Sequence, residues 1–145
     1  MKELKISSLL DLPEVAKSVL DFVAHYKIVA FYAKMGAGKT TLIQEILKEM
    51  GVRKPDGSPT YSLVNTYDTA RYGEVFHFDV YRLNSLQDAV EAGIEEMFYS
   101  GAVCFIEWAE QIEELLPDNF VRVEIEVNSN TERIIRIIEV NNRKG

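Results

Sequence analysis

IVAFYAKMGAGKTTLIQEILKEM, residues 28–50, is the stretch whose reading decides the fold. An apolar strand, residues 28–32, runs into a turn bearing Gly36 and Gly38. It passes straight into a helix where Leu42, Ile43, Ile46, Leu47 and Met50 repeat at helical spacing. That context gives G-K-T-T a mechanism. Amides at the turn and the helix start point at an anion, and the helix dipole favours negative charge there. Gly36, Ala37 and Gly38 are expected to form the cradle, with Lys39 reaching phosphate oxygens, Thr40 offering its hydroxyl to Mg²⁺ and Thr41 beside it. Gly51 stands where a helix-ending residue of positive φ belongs. The pattern departs from G-x-x-x-x-G-K-[ST] at its first position, Ala33. A left-handed alanine costs about 1 kcal/mol or more, so Ala33 is expected at negative φ. A plain glycine-bearing turn with a surface lysine is the alternative, and the strand-to-helix junction argues against it.

The chain has 145 residues, which points to one domain over residues 1–145 with a single sizeable core. A net charge of −7 argues against a free-standing nucleic-acid binder, because phosphate backbones are held mainly by clustered Lys and Arg. RNA contact would then come indirectly, through a partner. The one cysteine, Cys104, lies in the apolar run AVCFI and reads as a buried reduced thiol. The N-terminus lacks the apolar core of a secretory signal, and no run approaches membrane-spanning length. The expectation is a cytoplasmic protein with no membrane association.

Residues 3–10 read as a short edge strand, and Asp11 as the N-cap of a helix with Glu14 reaching back. Val15, Val19, Phe22 and Val23 continue its buried face. RKPDGSPT, residues 53–60, is a polar surface loop. YSLVNTY (61–67) and EVFHFDVY (74–81) read as a strand pair. Ser85 caps a helix carrying Leu86, Val90, Ile94 and Phe98, which Gly93 is expected to interrupt. GAVCFIEW (101–108) reads as a buried strand, AEQIEELL as helix, and FVRVEIEV and TERIIRIIEV as two strands around NSN. Together these give an α/β fold of the P-loop NTPase type, a three-layer sandwich with a parallel sheet core and antiparallel C-terminal strands.

Nucleotide hydrolysis beside such a loop needs an acid at the end of a neighbouring strand, to hold the metal or orient water. Glu107 ends the strand VCFI, and Asp79 lies in HFDVYR on another. Each is a candidate catalytic and metal-binding acid, with a structural salt bridge as the alternative. His77 alternates with Asp79 and reads as a hydrogen-bonded strand histidine rather than a catalyst. For Trp108, core packing and contact with a nucleotide or partner both fit. Arg133, Arg136, Arg143 and Lys144 read as a solvated face and tail.

GAGKTT, SPTYSLVNTY at 58–67, HFDVYRL at 77–83 and FIEWAE at 105–110 together resemble the TsaE family of small P-loop ATPases over essentially the whole chain. The resemblance implies an ATP- and Mg²⁺-dependent ATPase that works with TsaB and TsaD proteins. The product is the threonylcarbamoyl group on adenosine 37 of tRNAs reading codons that begin with A. Carried over, it makes Lys39 and Thr40 the phosphate and Mg²⁺ contacts, Asp79 and Glu107 the metal and water acids, Trp108 a neighbour of the nucleotide, and Thr60 part of a switch loop. Leu12 and Pro13 stand where the family often has a threonine near the base. Two other readings use the same loop. One is a small-molecule kinase, which normally adds an arginine-bearing lid that this sequence lacks. The other is a non-catalytic nucleotide-binding assembly protein. A GTP switch is disfavoured because the base-reading N-K-x-D is missing.

Overall fold

The computed structural model describes residues 1–57, 59 and 63–144. Its centre is β2 (Ile28–Ala33), buried at five consecutive positions as an unbroken apolar run must be when both faces are covered. Parallel neighbours flank it, β5 (Val103–Glu107) on one side and β6 (Phe120–Val127) on the other. The other strands are β1 (Lys2–Ile6), β3 (Val64–Thr69), β4 (Gly73–Asp79) and β7 (Arg133–Val140). All seven form one sheet in the order β1-β7-β6-β2-β5-β4-β3. Parallel pairing joins β6, β2, β5 and β4, while β1, β7 and β3 pair antiparallel at the two edges.

Helices cover both faces. On one side α1 (Leu12–Val23) and α2 (Lys39–Glu49) pack Val15, Val19, Leu42, Ile43 and Ile46 on the odd-numbered face of β2, Val29 and Phe31. On the other, the short α3 (Leu86–Glu91) and α4 (Ile94–Phe98) pack Ala89, Ile94 and Phe98 against Ala30, Phe78 and Ile106. The result is the three-layer α/β sandwich expected from the sequence, with antiparallel strands at the N-terminal and hairpin edges as well as at the C-terminus.

Four local expectations shift. The first strand ends at Ile6, because Ser8 caps a 3-10 turn at Leu9–Asp11 by accepting from Leu10 N–H. Asp11 holds the N-cap position of α1 without capping it, since its carboxylate accepts the Ser7 amide at 3.1 Å instead. Val90 is exposed and Ala89 buried, because left-handed Gly93 (φ +75) breaks the helix and ends the phase that would have carried Val90 inward. AEQIEELL forms two 3-10 turns, Ala109–Gln111 and Glu113–Leu115, because Ile112 between them leaves helical geometry (φ −130, ψ 26). Burial pushes the Cys104 thiol up to about 12, which fits an inert reduced side chain.

α2 ends as its sequence demands. Gly51 takes φ +101, its N–H donates to Lys48 O at 3.0 Å, and the Val52 N–H reaches back to Leu47 O at 3.0 Å, a complete Schellman closure. A left-handed alanine costs about 1–2 kcal/mol. Gly51→Ala is therefore expected to lower the melting temperature by about 3–6 °C without changing the circular dichroism of the folded protein. An unchanged melting curve would show that this end of α2 is not under the stated constraint.

Candidate active site

Parallel pairing brings the C-terminal ends of β2, β4 and β5 to one edge, where ligands of open α/β sheets lie. From the end of β2 the chain turns through residues 34–38 into α2, with Gly36 at φ +82 and Gly38 at φ +106. Among the described residues, no atom beyond the glycine's own chain neighbours lies within 4 Å of a Cβ built on either one. Backbone conformation, rather than crowding by other parts of the protein, is what requires them. Ala33 pairs with Ile125 as the last residue of β2 and is absent from the positive-φ residues, as expected.

Lys39 is only 5% exposed, and its Nζ has no hydrogen-bond partner among the described residues. The ammonium lies 3.3 Å from the centroid of the Trp108 ring, a cation–π contact that offsets part of its desolvation. Burial nevertheless pulls the Lys39 pKa down, against the opposing pull of Glu110, Glu107 and Asp79. Trp108 reaches this position from a left-handed backbone (φ 64, ψ 36), and its ring also packs on Tyr81 in a tilted pair, 4.7 Å between centroids and 46° between planes. A bulky residue in that region is a strained exception.

Glu107, 2% exposed at the end of β5, is held at both oxygens. The Thr40 hydroxyl donates to Oε1 at 2.8 Å, and His77 Nε2 lies 2.7 Å from Oε2. Asp79 pairs in register with Glu107 across β4 and β5, and its carboxylate accepts the Tyr81 amide at 3.0 Å. Gly36, Lys39, Thr40, Asp79, Glu107 and Trp108 thus line one cleft of about 340 Å³, with Gly38 and Thr41 on its loop side. Among the described residues no group of three or more His, Cys, Asp and Glu forms a metal site by itself. Mg²⁺ commonly takes one or two carboxylates and completes its shell with phosphate oxygens and water. The Thr40, Asp79 and Glu107 donor set fits that habit, as a buried ammonium without a hydrogen-bond partner among the described residues fits a phosphate.

Two candidates fall elsewhere. Ala37 is buried behind the loop and lines a second cleft of about 360 Å³ with Ser7, Leu9, Leu12, Thr41 and Arg133. Thr60 lies outside the described residues. The preceding segment is anchored, with the Asp56 amide donating to the Tyr67 hydroxyl at 2.9 Å and Gln44 Nε2 to Asp56 O at 3.3 Å. Arg133 was expected on a solvated face, yet its Nε donates to Ala37 O at 3.3 Å and braces the loop from β7. Arg136 pairs with Glu126 at 2.8 Å and Glu3 at 3.3 Å, and Arg143 donates to Leu116 O at 2.6 Å. Sequence spacing carried no signal for these contacts, because each depends on the pairing of β7.

The fold and this loop define a protein of the P-loop nucleotide-binding class. The family model described as threonylcarbamoyl adenosine biosynthesis protein TsaE matches residues 6–135, and the chain belongs to the TsaE family. Curated relatives named tRNA threonylcarbamoyladenosine biosynthesis protein TsaE include one from Bacillus subtilis, 30% identical over 135 residues (90% of this chain, 84% of the relative). Another, from Haemophilus influenzae, is 36% identical over 108 residues (74% and 67%). The crystal structure of Bacillus subtilis YdiB superposes with a TM-score of 0.75 at 25% identity, covering 99% of this chain and 88% of that one. No helix among the described residues is long and apolar enough to cross a membrane.

The Lys39 shift has a sign that can be measured. Its folded pKa lies below the ordinary 10.5, so between the two values the unfolded chain binds the extra proton and stability rises with pH. Below both, the buried charge is a constant cost. Lys39→Met is expected to melt no lower than wild type at neutral pH in the absence of nucleotide, and to lose that alkaline rise. A variant that melts several degrees lower at pH 7 would mean that the ammonium is stabilised by its surroundings.

Proposed function

We propose that this chain is a Mg²⁺-dependent ATPase of one domain that acts in the cytoplasm with TsaB and TsaD proteins to form threonylcarbamoyladenosine at position 37 of tRNAs reading codons that begin with A. The observation that carries the ATP reading is the buried Lys39 ammonium without a hydrogen-bond partner among the described residues, beside a Thr40 hydroxyl already joined to Glu107. Lys39 takes the β- and γ-phosphates, and the amides of Gly36, Gly38 and Thr41 cradle them. Thr40, Asp79 and Glu107 hold Mg²⁺, which when bound neutralises charge developing on the phosphates. Glu107 also orients the attacking water, and Trp108 covers the phosphate end. The second cleft, which shares Gly36, Gly38 and Thr41 in its lining with the first, takes the adenosine half against Leu9 and Leu12. Family membership supports the tRNA-modifying role and its partners, and the net charge of −7 is consistent with tRNA contact made through them.

Two variants divide binding from chemistry. Lys39→Ala is expected to weaken ATP about 100-fold or more, since it removes a charge-assisted phosphate contact. Glu107→Gln is expected to retain ATP while hydrolysis in the assembled complex falls about 100-fold. Calorimetry and turnover on the same preparations read both, and wild-type affinity in the first or wild-type turnover in the second would contradict the assignment.

Coupling to partners follows from the same reading. The protein alone is expected to turn over slowly, because phosphoryl transfer depends on positioned charges that a partner can complete. Its ADP and ATP-analogue forms are expected to differ in affinity for a TsaB and TsaD pair, since a ligand shifts a complex only through differential affinity. Equal affinities in a titration would leave the kinase or passive-assembly reading in its place.

A further inference from the structure

Four polar or charged residues are buried among the described residues, and three of them, Lys39, His77 and Glu107, meet at the C-terminal edge of the sheet. The first and last have roles in the reading above, which leaves His77. It sits on β4 opposite Phe105, two residues before the Asp79 and Glu107 pair and therefore on the same face, so its ring lies diagonally beneath the Glu107 carboxylate. It is 0% exposed, and its Nε2 to Glu107 Oε2 distance is 2.7 Å.

The chemistry fixes the direction of that bond. An unprotonated Nε2 would set lone pair against lone pair, and the proton would then sit on Nδ1, which has no hydrogen-bond partner among the described residues. The Nε2–H tautomer removes the repulsion and leaves at Nδ1 an unpaired acceptor, which is less costly than an unpaired buried N–H, so His77 donates to Glu107. A carboxylate bonded at Oε2 from below and at Oε1 by the Thr40 hydroxyl has one orientation open to it. Without the lower bond the Thr40 contact at Oε1 remains, but Oε2 loses this donor and the terminal torsion, which is intrinsically broad, is less narrowly fixed.

We infer that His77 is a positioning residue for Glu107: its Nε2–H locks the carboxylate so that Oε1 faces Thr40 and the cleft, and thereby sets the affinity of the site for a divalent cation in the presence of nucleotide. This rests on the proposed Mg²⁺-ATP reading. Donors behind a metal-binding carboxylate act on metal affinity and leave direct phosphate contacts alone.

The test compares wild type with His77→Leu, His77→Gln and His77→Asn. Mn²⁺ binding is followed by electron paramagnetic resonance with a non-hydrolysable ATP analogue present, and analogue affinity is measured separately in EDTA. The glutamine amide nitrogen falls where Nε2 was and can donate to Glu107, whereas the asparagine amide is too short. His77→Leu and His77→Asn are expected to weaken Mn²⁺ about 10–100-fold with EDTA affinity unchanged, and His77→Gln to restore it. Wild-type Mn²⁺ affinity in the leucine or asparagine variant would overturn the inference, as would failure of glutamine to rescue a folded protein. If leucine prevents folding, the contrast between asparagine and glutamine decides. Absence of nucleotide-dependent Mn²⁺ binding in wild type would instead overturn the Mg²⁺-ATP reading, and the inference with it.

Discussion

The Thr40 hydroxyl donating to Glu107 at 2.8 Å spans 67 residues of sequence and ties the first turn of α2 to the last residue of β5. Everything around the cleft depends on that closure. Glu107 pairs with Phe31 on β2, two residues before that strand ends, and with Asp79 on β4. The carboxylate therefore emerges just where the chain leaves β2 for the loop. A buried carboxylate is tolerable only when its oxygens are satisfied, and among the described residues α2 and β4 each supply it a donor. Parallel register, loop conformation and acid placement are thus one constraint seen from three elements.

Lys39 and Trp108 form the second part of the arrangement. The ring over the ammonium keeps it dry without giving it a hydrogen bond, which leaves a strong donor for an anion to take. Trp108 reaches that ring position only by accepting a left-handed backbone, at a cost of about 1–2 kcal/mol. The tilted ring contact with Tyr81 and the contact with Lys39 are what the structure sets against that strain. Arg133 braces the rear of the same loop through the Ala37 carbonyl, so the loop is held from the sheet edge on one side and from the C-terminal hairpin on the other.

Much of this was legible in the sequence, for identifiable reasons. A loop between strand and helix is local, so residues 28–50 specify β2, the two left-handed glycines, α2 and its Gly51 closure almost unaided. Glu107 was legible as an acid ending an apolar strand and Asp79 as an acid on another strand, and parallel pairing brought them together. His77 was legible as a hydrogen-bonded strand residue, but its partner was not, because that depends on β4 lying beside β5 in one particular register. The same holds for Arg133, whose contact with the loop requires β7 to pair beside β6. Helix propensity misled at residues 109–116: between left-handed Trp108 and Pro117, burial of Ile112, Leu115 and Leu116 overrides it in favour of tighter turns.

The central claim is that one cleft holds triphosphate on Lys39 and metal on Thr40 with its neighbouring acids. A crystal structure of the protein with a non-hydrolysable ATP analogue and Mn²⁺, with the metal located by its anomalous scattering, tests this most directly. The account predicts a single strong peak about 2.1–2.2 Å from Thr40 Oγ1, facing Asp79 and Glu107, with the γ-phosphate in hydrogen-bonding reach of Lys39 Nζ. A metal peak away from Thr40, or phosphates bound with Lys39 still against the Trp108 ring and out of their reach, would contradict it.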